Sequence, residues 1–437
     1  MKETPINFNI VKEKIDNSGL KPDISSSTIR EIVKVVNEIE QATGEKFVRM
    51  EMGVPGLPTP KILLNAQIEA LENVVTSKYP MIEGDAELKQ EASRFVKLFL
   101  NKDVEAKCCV PAVGSMQSAM ALFLTVNRTY TQRNKILFID PGFPVQKQQC
   151  QVLGVQYETF DVYNFRGEKL RNKIESYLKT DEFSSIIYSN PNNPSWISFT
   201  ERELKIIGEL ATKYQAVVIE DLAYFGMDFR EDYSQPGLPP YQPSVANYTN
   251  NYVIMLSSSK VFSYAGERLG IIIVSPSLFD KSFEGLRRNF KKDTFGYALI
   301  YGSLYTLSAG VSHSVQKGMA KMLRAVNNGE YNFIEAVKPY AERANVMKRL
   351  FLENGFKIVY EKDEDQDISD GFYFTFSYPG MTGDELLEEM LYYGISAISL
   401  KITGSERTEG MRACVSQVLP EQFEILEYRL KKFRENH

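Results

Sequence analysis

Between residues 108 and 274 the chain alternates short apolar runs with longer amphipathic stretches. Apolar runs stand at 108–113, 135–140, 185–188, 216–220, 252–256 and 270–274, several of them rich in Ile and Val. Several are continuous, which is how strands buried on both faces read. The amphipathic stretches at 117–126 and 201–214 predict helices between them. Strand–helix alternation of this kind predicts a largely parallel sheet with helices on both faces, an α/β fold.

From about Ser312 the rhythm changes. Helical patterns at 317–324 and 331–354 precede a strand at 372–377, a helix at 383–393, a strand at 412–416 and a last helix at 421–433. This predicts a smaller α+β unit. The acidic run EKDEDQDISD at 361–370 is expected to be a solvated hairpin loop rather than an acidic binding site. The Pro/Gly-rich GVPGLPTP at 53–60 predicts a crossing segment between the N-terminal piece and the large unit.

Composition narrows the function. The 437 residues carry 51 basic and 56 acidic side chains, a net charge of −5, with 43% hydrophobic and 24% charged residues. That is globular and long enough for two or three domains. No lysine/arginine run supplies the basic face that nucleic acid requires. Only His313 and His437 are histidines, which argues against a histidine triad or a multi-histidine metal site, so no metal is expected. His313 reads as structural. The cysteines are Cys108, Cys109, Cys150 and Cys414, with no CxxC pair, which predicts a reducing compartment; Cys108 and Cys150 read as small buried hydrophobes. The N-terminal MKETPINFNIVKEKIDN lacks a signal peptide's apolar stretch, and no run approaches the ~18 residues of a membrane span. The expectation is a cytoplasmic protein with no membrane partner.

In an open α/β sheet, ligands bind beyond the carboxyl ends of the strands. There the sequence places Gly114, Ser115 and Met116 at a helix start, Asn193 in SNPNNPSW, Asp221 followed by Tyr224, and Ser257, Lys260 and Arg268 in SSSKVFSYAGERLG. No GxGxxG or GxxxxGK[ST] loop is present, so a nucleotide is not expected. The set suits pyridoxal 5'-phosphate (PLP), whose four functional groups each require a different partner. Lys260 forms the Schiff base with the aldehyde. Asp221 keeps the ring nitrogen protonated. Asn193 and Tyr224 donate to the phenolic oxygen. The phosphate falls to the helix start at Gly114, Ser115 and Met116, to Ser257 and to Arg268.

SSSKVFSYAGERLG resembles the lysine signature of the class I/II aminotransferases, fold type I PLP enzymes, with a serine three residues before the lysine and an arginine eight after. The resemblance runs over most of the chain in the family's order. Gly53 in GVPGLPTP resembles the loop that contacts the substrate carboxylate. Tyr79 in KYPMIEGDAEL resembles the segment that reaches the neighbouring subunit's phosphate. Phe143 in DPGFP resembles the aromatic stacked on the ring, though Pro-Gly-Phe-Pro equally fits a turn with a buried aromatic. Arg412 in EGMRACVS resembles the arginine that clamps the substrate α-carboxylate, with Asn193 beside it.

The resemblance implies a large domain with a mostly parallel seven-stranded-type sheet between helices, and a smaller α+β domain made from both termini. It divides the chain into an N-terminal arm at 1–60, a PLP-binding domain at 61–315 and a C-terminal domain at 316–437. It implies a homodimer in which Tyr79 reaches the neighbouring active site, and a cycle that moves an amino group from an α-amino acid to a 2-oxo acid such as 2-oxoglutarate. With 24 tyrosines and no assignable second arginine, the donor is expected to be aromatic or broadly neutral. A carbon–sulfur β-lyase or synthase on the same scaffold, and a non-catalytic PLP-binding regulator, are the alternatives.

Three departures stand out. Trp196 follows Ser195 where the family usually has a glycine, and reads as either core or pocket wall. Gly56 replaces a common acidic residue. The tyrosine-rich FGYALIYGSLYTL at 295–307 is longer than usual, with Arg287, Arg288, Lys291 and Lys292 nearby on what reads as a basic helix face.

Overall fold

The computed structural model describes residues 3–73 and 75–437. Seven strands form the large sheet: β1 (Cys109–Ala112), β2 (Lys135–Asp140), β3 (Gln156–Asp161), β4 (Phe183–Ser189), β5 (Val217–Leu222), β6 (Tyr252–Ser257) and β7 (Gly270–Val274). Their order is β1-β7-β6-β5-β4-β2-β3. Neighbours from β6 to β3 are parallel, and β7 runs antiparallel to both β1 and β6.

The Ile/Val runs are continuous because both sheet faces are covered. Along β2, Ile136 and Phe138 point into a layer shared with Leu122 and Phe123 of helix Gly114–Val126. Leu137 and Ile139, one residue out of step, point into the opposite layer with Phe95, Leu204 and Met319. Successive side chains on a strand alternate faces, so a strand in mid-sheet must be apolar at every position. The strand missing from the sequence reading is β3, QYETFD. It pairs only with β2 at the sheet edge and stays partly exposed over its first four residues, so its polar letters gave no apolar run.

A second, antiparallel sheet holds β8 (Lys357–Ile358), β9 (Tyr373–Ser377), β10 (Ile398–Ser399) and β11 (Met411–Cys414) in the order β10-β11-β9-β8. The predicted strand at 412–416 therefore starts one residue earlier. Helices Pro339–Glu353, Gly383–Tyr392 and Phe423–Asn436 accompany this sheet. A separate two-stranded sheet brings in N-terminal residues, with Val48–Arg49 paired in parallel to Ile395–Ser396. The helical stretch expected at 331–354 is divided into Phe333–Val337 and Pro339–Glu353, with the proline at the first position, where its missing N–H costs nothing. Residues 295–307 are helical throughout, with a wide π turn at Ala298–Leu304. Among the described residues no helix is long and apolar enough to cross a membrane.

All four cysteines are free and buried, and burial pushes the Cys108, Cys109 and Cys150 thiols up to about 12. They are protonated packing groups rather than nucleophiles.

The acidic run is a hairpin, Lys362–Asp363 against Gln366–Asp367, but the solvated reading fails at one residue. Asp363 is 3% exposed and accepts from Arg166 Nη1 at 3.0 Å, Arg230 Nη2 at 2.9 Å and the Ser198 amide at 2.9 Å. Arg166 in turn grips Glu203 with Nε and Nη2, each at 2.8 Å. A charge run does not reveal which carboxylate turns inward. Asp363→Ala should take from Arg166 one of its two carboxylates, leave the Ser198 amide unpaired and lower the unfolding free energy by about 2 kcal/mol. Urea denaturation measures it, and a loss below about 1 kcal/mol would mark the network as surface-like.

Candidate active site

Strands β4, β5 and β6 end in register: Ser189 lies opposite Asp221, and Leu222 opposite Leu256. Whatever follows each strand is thereby delivered to one edge of the sheet. Gly114 opens its helix at φ +70°, and a Cβ there would lie 2.6 Å from Arg268 Nη2. Only glycine both adopts that backbone and admits the guanidinium beside the helix start. Arg268 donates through Nη1 to the Ala265 carbonyl at 2.8 Å. The Ser115 hydroxyl is buried there without a partner. Ser257, 8% exposed, accepts from the Ser259 amide at 3.2 Å. Met116 is half-buried, and together with Arg268 and Gln117 it lines a cleft of about 570 Å³.

Asp221 lies near the end of β5 and is 7% exposed. Its Oδ2 accepts from Gln146 Nε2 at 3.0 Å and its Oδ1 from the Ala223 amide at 3.2 Å. Burial outweighs these bonds and raises the carboxyl to about 6. Gln146 was not found by sequence reasoning. It sits in the first turn of helix Pro144–Leu153, just after Phe143, and its partner is 75 residues away. Phe143 itself is half-buried at the head of that turn.

Lys260 is half-buried and donates to the Gly53 carbonyl, with the Phe372 ring 5.3 Å from its amine. Loss of water pulls the amine from 10.5 down to about 8; the Arg412 and Arg268 charges act the same way and the Cys414 thiol opposes them. Arg412, on β11 and 2% exposed, donates through Nη1 to Asn193 Oδ1 at 3.2 Å and through Nη2 to the Glu51 carbonyl, while its Nε has no partner. Its guanidinium lies 4.5 Å above the Tyr373 ring, and the Tyr373 hydroxyl shares a 2.7 Å hydrogen bond with Tyr224. Tyr373, 149 residues from Tyr224, is the second site residue that the sequence did not announce.

Trp196 proves to be core. It is fully buried at φ +63°, its indole N–H donates to Ser369 Oγ at 3.1 Å, and its ring meets Tyr224 and Tyr373 edge-on at 5.3 and 6.0 Å. The left-handed backbone explains why a glycine would suit the position; an L-residue there costs about 1–2 kcal/mol, which burial of the indole offsets. Tyr79 is 95% exposed, so within one chain it does not join the site.

The charges decide what this crevice can hold. Lys260, Arg268 and Arg412 donate only to carbonyl or amide oxygens, and Asp221 accepts only from amides. Among the described residues none of the four meets an opposite charge. Asp221 and Arg412 are buried and Lys260 is half-buried, and a buried ion without a counter-charge is costly unless a ligand supplies one; Arg268 stands exposed at the rim and bears no such penalty. The complement is a molecule with anionic groups facing Arg268 and Arg412, a cationic centre at Asp221 and an electrophile near Lys260.

Comparison with known proteins gives that complement a family. The profile described as "Aminotransferase class I and II" matches residues 45–422. A probable aspartate aminotransferase of Methanocaldococcus jannaschii is 22% identical over 370 residues, 83% of this chain and 84% of the relative. An LL-diaminopimelate aminotransferase of Halothermothrix orenii is 27% identical over 265 residues, 59% of this chain and 64% of its own. Among solved structures, the aspartate aminotransferase of Thermotoga maritima superposes with a TM-score of 0.76 at 17% identity, covering 97% of this chain and 99% of that one.

Such enzymes depend on pyridoxal 5'-phosphate, and the residues present fit it: the orphaned Ser115 hydroxyl and Arg268, which meets no carboxylate, would suit its phosphate, and the buried, cation-free Asp221 would suit its ring nitrogen.

Two titrations follow. In cofactor-free protein, reductive methylation of Lys260, followed by peptide mass, should rise through pH about 8, because the neutral amine reacts; a midpoint near 10 would contradict the desolvated site. Cofactor affinity should fall as pH drops below about 6, where Asp221 takes up a proton and stops countering the ring nitrogen. An affinity flat from pH 7 to 5 would remove Asp221 from that role.

Proposed function

Because the chain belongs to the aminotransferases of class I and II, we propose that it moves the amino group of an α-amino acid with an aromatic or neutral side chain onto a 2-oxo acid such as 2-oxoglutarate. The observation that carries the reading is the set of four uncompensated charges, Lys260, Asp221, Arg268 and Arg412, gathered at one sheet edge. Several relatives are named for aspartate. Here, however, the groups beside Lys260 and Arg412 are the rings of Phe372 and Tyr373. That environment favours a neutral or aromatic donor.

Bound in this crevice, the cofactor supplies an aldehyde that accepts the amino group and a ring that spreads the electrons released from the substrate's Cα. The protein's work is positioning and proton transfer. Arg412 binds the α-carboxylate, with the Asn193 amide and the Gly53 backbone beside it, and so fixes which Cα bond stands across the ring. Lys260, whose amine desolvation brings down to about 8 and so makes easier to deprotonate, takes the proton from Cα and returns it two bonds away, at the carbon that was the cofactor's aldehyde. Asp221, held by Gln146, keeps the ring nitrogen protonated. Asn193 and Tyr224 would donate to the phenolic oxygen, and Phe143 would stack on the ring. The helix start at Gly114, Ser115 and Met116, with Ser257 and Arg268, takes the phosphate. Tyr79, almost fully exposed, is assigned to the phosphate of a second copy in a homodimer.

Both half-reactions use one site, so initial rates should give parallel double-reciprocal lines. Arg412→Ala should raise KM for the amino acid about a hundredfold, as loss of a desolvated ion pair worth about 3 kcal/mol predicts. The decisive assay scans amino donors against 2-oxoglutarate: glutamate plus the donor's 2-oxo acid supports the reading, whereas ammonia and pyruvate would make the protein a β-lyase.

A further inference from the structure

Tyr373 has no place in the roles assigned above, yet it touches three of the groups that hold them. Its hydroxyl bonds Tyr224 at 2.7 Å, its ring lies under the Arg412 guanidinium, and a Cβ at Gly53 would fall 2.0 Å from its hydroxyl oxygen. It is 2% exposed and is braced edge-on by Trp196, whose indole is tied to Ser369. A Cβ at Gly371 would strike that indole at 2.1 Å, so residues 369 to 373 are shaped around the tryptophan.

The direction of the phenol–phenol bond is the point. Each hydroxyl has one proton to donate and an oxygen that accepts. If Tyr224 donates to the cofactor's phenolic oxygen, its own oxygen is left to accept, and Tyr373 is the donor within reach. Burial pushes both phenols far above their ordinary 10, so both keep their protons. The cation over the Tyr373 ring draws electron density from it and improves it as a donor.

We infer that Tyr373 is a positioning residue that donates its hydroxyl proton to Tyr224 and thereby turns the Tyr224 proton toward the cofactor's phenolic oxygen. This rests on the reading of the site given above. Donors in series strengthen one another, so Tyr224 is a stronger donor with Tyr373 behind it than alone. Gly53 and the Trp196–Gly371 contact are then the steric conditions for the Tyr373 hydroxyl to stand where it does.

The test is a pH titration of the bound cofactor's visible absorbance. Hydrogen bonding to the phenolic oxygen drains the negative charge that retains the proton on the neighbouring nitrogen. Weaker donation therefore moves the midpoint up. Tyr373→Phe should raise it by about half a unit or more. Tyr224→Phe should raise it further, and the double variant no further than Tyr224→Phe alone, since Tyr373 acts through Tyr224. An unchanged midpoint in Tyr373→Phe, or additive shifts, would overturn the inference while a normal wild-type band leaves the functional reading intact. A wild type with no such band would overturn both. A cofactor-free readout is independent of these: Gly53→Ala should lower the melting temperature in the wild type and less in the Tyr373→Phe background, and equal losses would place the Tyr373 hydroxyl elsewhere.

Discussion

Uncompensated charge in a desolvated crevice is the constraint around which this molecule is arranged. Lys260 and Arg412 point their donors at carbonyl and amide oxygens and Asp221 is surrounded by amides, with Arg268 at the exposed rim. Folding supplies none of them with an opposite charge, and the consequence is visible in both directions: the amine falls to about 8 and the carboxyl rises to about 6. Both shifts disfavour the charged forms that a phosphorylated, pyridine-containing ligand would restore. The same electrostatics that disfavour these buried charges make the crevice selective for a ligand that pairs them.

The two sheets explain how the charges are kept apart from one another and from water. Parallel strands β4, β5 and β6 stop in register, so Asp221 and Lys260 are set by the rigid part of the molecule. Arg412 comes from the antiparallel sheet, and Gly53 from the segment leading into the large sheet's unit. Between them stand Tyr224, Tyr373 and Trp196, an aromatic seam with hydrogen bonds at both ends. Asp363, clamped by Arg166 and Arg230, anchors the hairpin that leads into Tyr373.

Six of the seven large-sheet strands were legible as largely apolar runs because both of their faces are buried, β1 included although it lies at a sheet edge. β3 was not, because this partly exposed edge strand keeps polar letters. Helix Ile29–Thr43 escaped the reading although its signal was present: a Thr28–Glu31 capping box and buried Ile32, Val35, Val36 and Ile39 at helical spacing. Motif order placed Lys260, Asp221, Asn193 and Arg412 in one crevice, since each follows or lies on a strand whose position the topology dictates. Gln146 and Tyr373 could not be read that way, because each matters through a partner far along the chain. Trp196 was ambiguous until its φ of +63° and its contact with Ser369 were known.

The central claim is that the desolvated amine of Lys260 is the one that engages the cofactor's aldehyde. Borohydride reduction of the cofactor-loaded protein, followed by peptide mapping, tests it directly. The account predicts one stably attached phosphopyridoxyl group per chain, on the peptide that contains Lys260. A label on any other lysine, or none above the unreduced control, would contradict it.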